Sequence, residues 1–178
     1  MIRLTTRGPA ETLELGRWIG QRLEPGMTVG LDGDLGMGKT WMTKGLVQGI
    51  GDFDPTQVKS PAFNLVHEYP VSRGGAGQDV IHIDFYRLDE LSHTDALLFG
   101  EYLDRQEVIA CVEWAGKFLA ELVPSYLSIR LALCPPDDAS TEDLPERGDL
   151  CREIQIHAIG AGYDALLDEI RSHANART

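Results

Sequence analysis

Positive charge is scarce in this 178-residue chain: 16 Lys and Arg face 28 Asp and Glu, a net charge of −12. Phosphate backbones are held by clustered Lys and Arg, so the chain is not expected to grip nucleic acid unaided. Long apolar runs are missing as well. No stretch approaches the roughly 18 consecutive apolar residues of a membrane helix. The N-terminal Met1-Ile2-Arg3-Leu4-Thr5-Thr6-Arg7 has no apolar core followed by a cleavage site, so no export signal is expected. Cysteine is sparse: Cys111, Cys134 and Cys151 are far apart, odd in number and form no C-x-x-C pair. A zinc site or a disulfide framework is therefore not expected, and reducing cytoplasm is the expected home. What remains is a chain with 43% hydrophobic residues, enough for a core in one domain spanning 1–178.

Within it stands Gly33-Asp34-Leu35-Gly36-Met37-Gly38-Lys39-Thr40, a complete G-x-x-x-x-G-K-[ST] phosphate loop. Its glycines let successive backbone N–H groups turn inward around phosphate oxygens. Lys39 reaches the terminal phosphates as a point charge, and the Thr40 hydroxyl is placed to ligate Mg²⁺. Met27 to Leu31 reads as a short buried strand entering the loop. Lys39 to about Ile50 reads as a helix whose N-terminal dipole faces the anion. A Gly-rich turn that merely ends in Lys-Thr would lack that strand and helix. The motif therefore predicts a nucleotide-binding protein.

The rest of the chain alternates helices and strands. Pro9 to about Leu23 reads as a first helix, stopped by Glu24-Pro25-Gly26. A Pro-punctuated connection, 52–61, leads to two strands, Phe63–Tyr69 and Val80–Tyr86, joined by a flexible hairpin tip over 72–79. About Leu91 to Leu103 reads as helical. Val108-Ile109-Ala110-Cys111-Val112 is a continuous apolar run, typical of a strand covered on both faces. A short helix over Lys117–Leu122, late strands Tyr126–Leu133 and Glu153–Ile159, and a helix from Asp164 to about His173 complete the pattern. The segment 134–149 reads as a solvated acidic loop, and 160–178 as the terminal helix and tail. The expected fold is α/β: one P-loop NTPase-like domain with a mixed, mainly parallel sheet flanked by helices.

Phosphate loops need a second Mg²⁺ anchor, commonly an acid at the end of a buried strand. Asp84 and Glu113 both end such strands, where ligands gather in open α/β sheets. Each is a candidate; the alternative is a solvated strand-end acid. His82 shares a strand face with Asp84 and either supports the site or is a structural, hydrogen-bonded histidine. His67 reads as structural. Trp114 can stack on a base or a partner, or simply cover the core. Arg87 can meet phosphate or form a surface ion pair.

Together, the phosphate loop, Val58-Lys59-Ser60-Pro61-Ala62-Phe63, His82-Ile83-Asp84-Phe85-Tyr86-Arg87-Leu88 and Val112-Glu113-Trp114 resemble the bacterial tRNA threonylcarbamoyladenosine biosynthesis ATPase family, TsaE. The resemblance runs from about Thr12 to Leu133. It implies binding of ATP and Mg²⁺, with Thr40 and Glu113 as metal ligands and Asp84 as a further metal-side or catalytic acid. Lys39 would be catalytic with Asp84 and Glu113. Nucleotide contacts fall to Gly33, Asp34, Leu35, Gly36, Met37, Gly38, Lys39, Thr40 and Trp114. It makes the segment around Ser60 and Pro61 switch-like. It also implies two partner proteins that install threonylcarbamoyl on the adenosine beside the anticodon, in tRNAs reading codons that begin with A. The ATPase serves their cycle and is not itself the transferase. Ala62 and Asn64 stand where the family usually has threonine, so no hydroxyl role carries over to them.

Two other readings use the same loop. A small-molecule kinase needs a lid with several arginines, and no arginine cluster follows Glu113. A non-enzymatic nucleotide-dependent switch is the other; no N-K-x-D segment occurs, so guanine specificity is not expected of it.

Overall fold

The computed structural model describes residues 1–134 and 150–176. It contains seven strands, β1 (Ile2–Arg7), β2 (Thr28–Asp32), β3 (Val66–Arg73), β4 (Ala76–Asp84), β5 (Val108–Glu113), β6 (Tyr126–Leu133) and β7 (Cys151–Ile159). The helices are α1 (Gly8–Gly20), α2 (Lys39–Ile50), α3 (His93–Leu103), the single turn α4 (Leu119–Leu122) and α5 (Asp164–Ala176).

The strands form one sheet in the order β1-β7-β6-β2-β5-β4-β3. β4, β5, β2 and β6 run parallel to their neighbours in this series. The hairpin strand β3, and β7 at the other side, are antiparallel to their neighbours. β1, antiparallel to β7, points the same way as the central four. The α/β expectation of a mixed sheet flanked by helices holds; five of the seven strands point one way, with three parallel and three antiparallel pairings.

Side-chain alternation along the central strands splits the apolar groups between two faces. Val29, Leu31, Ile109, Cys111 and Ile129 join Leu15, Ile19, Met42, Leu46, Leu166 and Ile170, from α1, α2 and α5. Ala110, Val112, Ile81 and Ile83 join Phe99, Leu103 and Leu119, from α3 and α4. With helices on both faces, β5 is buried at every residue, which explains its unbroken apolar run.

α1 and α2 meet through glycines. A Cβ on Gly45 would lie 2.1 Å from the Leu13 carbonyl oxygen, and one on Gly49 2.1 Å from that of Arg17. Gly16 and Gly20 meet the Met42 and Leu46 carbonyls at 2.5 and 2.2 Å on the same test. Backbone therefore lies on backbone, and the helix that begins at Lys39 is seated against α1.

Three expectations need correction, and one strand was not anticipated. Ile2–Arg7 is a strand, with Ile2, Leu4 and Thr6 turned inward and the residues between them exposed. The hairpin tip is short: ladder pairing extends to Arg73 and Ala76, so most of 72–79 is strand. Residues 62–64 form a turn and Leu65 a bend, so the strand begins at Val66. Most notably, Cys134 and Cys151 form a disulfide, where none was expected. The antiparallel β6–β7 register pairs Leu133 with Arg152 and brings the two cysteines together at the strand ends. Cys111 is the free, buried cysteine. The acidic loop over 135–149 and the last two residues lie outside the described residues. No described helix is long and apolar enough to cross a membrane.

Candidate nucleotide-binding site

The central strand β2 ends at Asp32, and the chain turns at once into the phosphate loop. Gly33 has φ of 133°, and a Cβ there would strike the Leu131 carbonyl at 2.2 Å. Gly38, at φ 102°, makes the left-handed step into α2. L side chains avoid both conformations, so these glycines are required by the path of the loop. From β7, Arg152 donates through Nε to the Met37 carbonyl at 2.9 Å and braces the loop from below.

Lys39 opens α2 and is only 5% exposed. Its Nζ donates to the carbonyls of Gly33 (2.6 Å) and Asp34 (2.9 Å). The ammonium also lies 3.9 Å from the centroid of the Trp114 ring, a cation–π contact. Burial draws its pKa below the usual lysine value, against the pull of Glu113, Asp84, Asp32 and Asp34. Trp114 takes a left-handed φ of 59°, uncommon for a bulky residue. The following turn is tied down where Gly116 N–H donates to Asp32 at 3.0 Å. Trp114 thus covers Lys39 while packing beside Tyr86, ring centroids 5.1 Å apart.

Asp84 and Glu113 are register partners at the C-terminal ends of β4 and β5, and are 2% and 3% exposed. Glu113 Oε2 accepts from the Thr40 hydroxyl at 3.2 Å. Its Oε1 lies 3.0 Å from His82 Nε2 and accepts from Thr43 at 3.4 Å. Asp84 accepts from the Tyr86 backbone at 2.9 Å and, through its other oxygen, from the Ser60 hydroxyl. The segment carrying Ser60 is held a second time. The Tyr69 hydroxyl donates to the Lys59 carbonyl at 3.1 Å and accepts from the Lys59 N–H at 3.3 Å, while burial raises the phenol's pKa.

These groups line a cleft of about 460 Å³, walled by Gly36, Gly38, Lys39, Thr40, Ser60, Phe63, Asp84, Arg87, Glu113 and Trp114. Leu35 also lines it, whereas Gly33, Asp34 and Met37 are not among its lining residues. The Arg87 guanidinium, which lines the cleft, stacks on Phe63, 3.9 Å from the ring centroid. His67 lies 3.2 Å from the Tyr69 hydroxyl, and so belongs to the clasp on Lys59. Thr43, Tyr69 and Arg152 had no motif to mark them. Thr43 was nevertheless accessible to reasoning, because it lies one helical turn beyond Lys39.

The donor set at the mouth is a hydroxyl and carboxylates, all hard oxygen ligands. Among the described residues no three His, Cys, Asp or Glu form a closed metal cage. Hard oxygen donors such as the Thr40 hydroxyl and the two carboxylates are of the kind Mg²⁺ takes.

A glycine-rich loop between a central parallel strand and a helix, with acids closing the two neighbouring strands, defines a P-loop nucleotide-binding protein. Comparison with known proteins narrows the class. The family model for "Threonylcarbamoyl adenosine biosynthesis protein TsaE" matches residues 6–139, and the chain belongs to the TsaE family. The tRNA threonylcarbamoyladenosine biosynthesis protein TsaE of Bacillus subtilis is 30% identical over 174 residues, 98% of this chain and 96% of that one. The protein of the same name from Mycobacterium leprae is 35% identical over 127 residues, covering 68% and 76%. The crystal structure of Bacillus subtilis YdiB superposes with a TM-score of 0.69 at 29% identity, covering 97% of this chain and 95% of the other.

Proposed function

We propose that this chain binds ATP with Mg²⁺ in the cleft and hydrolyses it in the service of threonylcarbamoyladenosine formation in tRNA. One observation carries the reading: Lys39, Thr40, Asp84 and Glu113 converge at the strand ends beside a complete phosphate loop. Family membership and the names of the relatives support the process served.

Phosphate oxygens would replace the Gly33 and Asp34 carbonyls as acceptors for Lys39, while loop N–H groups and the start of α2 cradle the anion. Thr40 and Glu113 are the residues to hold Mg²⁺, which supplies charge neutralisation on the phosphates, and Asp84 stands beside them. Trp114 forms one wall of the nucleotide site. Hydrolysis by the chain alone is slow in this reading. Arg87 rests on Phe63, and an arginine finger is worth about 10³–10⁵ in rate where one is supplied.

The two proteins that carry out threonylcarbamoyl transfer are the proposed partners, and tRNA is reached through them in the cytoplasm. A net charge of −12 opposes direct tRNA binding at physiological salt, where screening extends about 8 Å. ATP hydrolysis measured with and without the transfer proteins tests the proposal. Stimulation by the partners is expected. Turnover of about 10 per second by the chain alone, an ordinary enzyme rate, would refute the need for them.

A further inference from the structure

The two oxygens of the Glu113 carboxylate have different surroundings. Oε2 faces Thr40 at the cleft. Oε1 is turned inward to His82 Nε2 at 3.0 Å, with Thr43 at 3.4 Å. The Thr43 hydroxyl sits nearer the Lys39 carbonyl, at 3.1 Å, which leaves His82 as the principal partner of Oε1.

His82 is itself unusual. It is 0% exposed, and its Nδ1 is buried without a hydrogen-bond partner among the described residues. A buried histidine serving only the fold is expected to satisfy both ring nitrogens, because an orphaned polar atom costs stability. Here one nitrogen is left unsatisfied and the other is committed to one carboxylate oxygen. The imidazole comes from β4, the strand adjacent to the one that carries Glu113, so a rigid ladder fixes donor and acceptor against each other. Outer groups that orient metal-ligating side chains work in this way.

We infer, resting on the reading of Glu113 as an Mg²⁺ ligand given above, that His82 is a positioning residue: its Nε2–H holds Oε1 so that Oε2 is presented to the nucleotide's cation. The carboxylate then enters the site already oriented, and its rotation is not frozen out when metal arrives. Thr43 assists from α2.

Side-chain amides at two lengths test this. His82→Gln sets an N–H donor near the position of Nε2, whereas His82→Asn sets it near Nδ1, away from Glu113. Both keep a polar group in the same buried place, so a general packing defect affects both. ATP binding to the full chain is measured by calorimetry, first in EDTA and then across an Mg²⁺ titration. The expected result is unchanged metal-free ATP affinity in both variants. The Mg²⁺ needed for half-maximal gain should rise about 10–100-fold in His82→Asn, the usual loss for an outer-shell partner, and stay near wild type in His82→Gln. Equal Mg²⁺ responses in the two variants, whether normal or weak, would overturn the inference. Loss of metal-free ATP binding in both would overturn it as well, by assigning His82 to the fold. Absence of any Mg²⁺ gain in the wild-type protein would refute the Mg²⁺ reading of Glu113 itself.

Discussion

Replacing glycine by alanine in a helix ordinarily stabilises it by about 1 kcal/mol. At Gly45 the sign should reverse. The added Cβ would meet the Leu13 carbonyl oxygen at 2.1 Å, the Arg17 nitrogen at 2.8 Å and the Gly16 Cα at 2.9 Å. All three are backbone atoms of α1, and none can swing aside. Ordinary contact begins near 3.4 Å, so the helices must separate by more than 1 Å at that point. Overpacking of this kind costs about 1–3 kcal/mol. The rigidity of both partners places Gly45→Ala toward the upper end. After the propensity gain, a net loss of roughly 2 kcal/mol remains, and at about 2–4 °C per kcal/mol for this chain length Tm should fall by about 4–8 °C. Gly100 in α3 is the control, because its Cβ would meet no atom of the described residues within 4 Å. Gly100→Ala should raise Tm by a few degrees, following propensity alone. Calorimetric melting of the two variants beside wild type decides the matter. If Gly45→Ala melts at or above the wild-type temperature, the backbone contact between α1 and α2 is not as close as described.

Lys39→Ala should abolish ATP hydrolysis, while Thr40→Ala should chiefly weaken the Mg²⁺-dependent part of ATP binding; wild-type hydrolysis in Lys39→Ala would refute the site. The buried Cys111 thiol is pushed up to about 12 from 9.0. Between those values the unfolded chain has lost a proton that the folded chain keeps, so stability is full below about pH 9 and falls as pH rises. The slope reaches at most about 1.4 kcal/mol per pH unit for this one group. Burial raises the Tyr69, Tyr126 and Tyr163 phenols as well, adding in the same direction, whereas the lowered Lys39 opposes. Urea melts from pH 8 to 11 should show a shallower alkaline decline in Cys111→Val; an identical decline would contradict the assignment. Cys134 and Cys151 are 17 apart in sequence, and closing a loop of that size stabilises by about 3 kcal/mol. Replacing both by serine should remove that amount from the oxidised protein and nothing from protein held in dithiothreitol.

The phosphate loop was legible because its chemistry is written in consecutive residues, and the flanking strand and helix follow from short-range periodicity. Asp84 and Glu113 were legible because each closes a run of buried apolar residues, and parallel strands bring their ends to one rim. That the two stand directly opposite each other required the β4–β5 register, which no local pattern contains. The role of His82 depends on the same register and so stayed open between support and structure. β1 alternates apolar and polar residues from Ile2 to Arg7, a half-buried strand pattern that was there to be seen but was read only for targeting. The disulfide was missed because spacing along the chain says nothing about an antiparallel pairing across sixteen intervening residues. The clasp of Tyr69 on Lys59 was equally hidden, since a tyrosine in a strand gives no sign of what its hydroxyl will find.

The Cys134–Cys151 bridge gives the chain a second covalent path around the acidic segment. After a single backbone cut at any peptide bond between those residues, the disulfide would be the sole covalent link from β7 and α5 to the rest. Nicked protein would then run as one species on a denaturing gel without reductant and as two with it. Arg152, the next residue, would keep its hold on the phosphate loop through β7's pairing and that bond. In the language of topology, the oxidised protein is a ring with two tails, and the acidic segment lies on the ring.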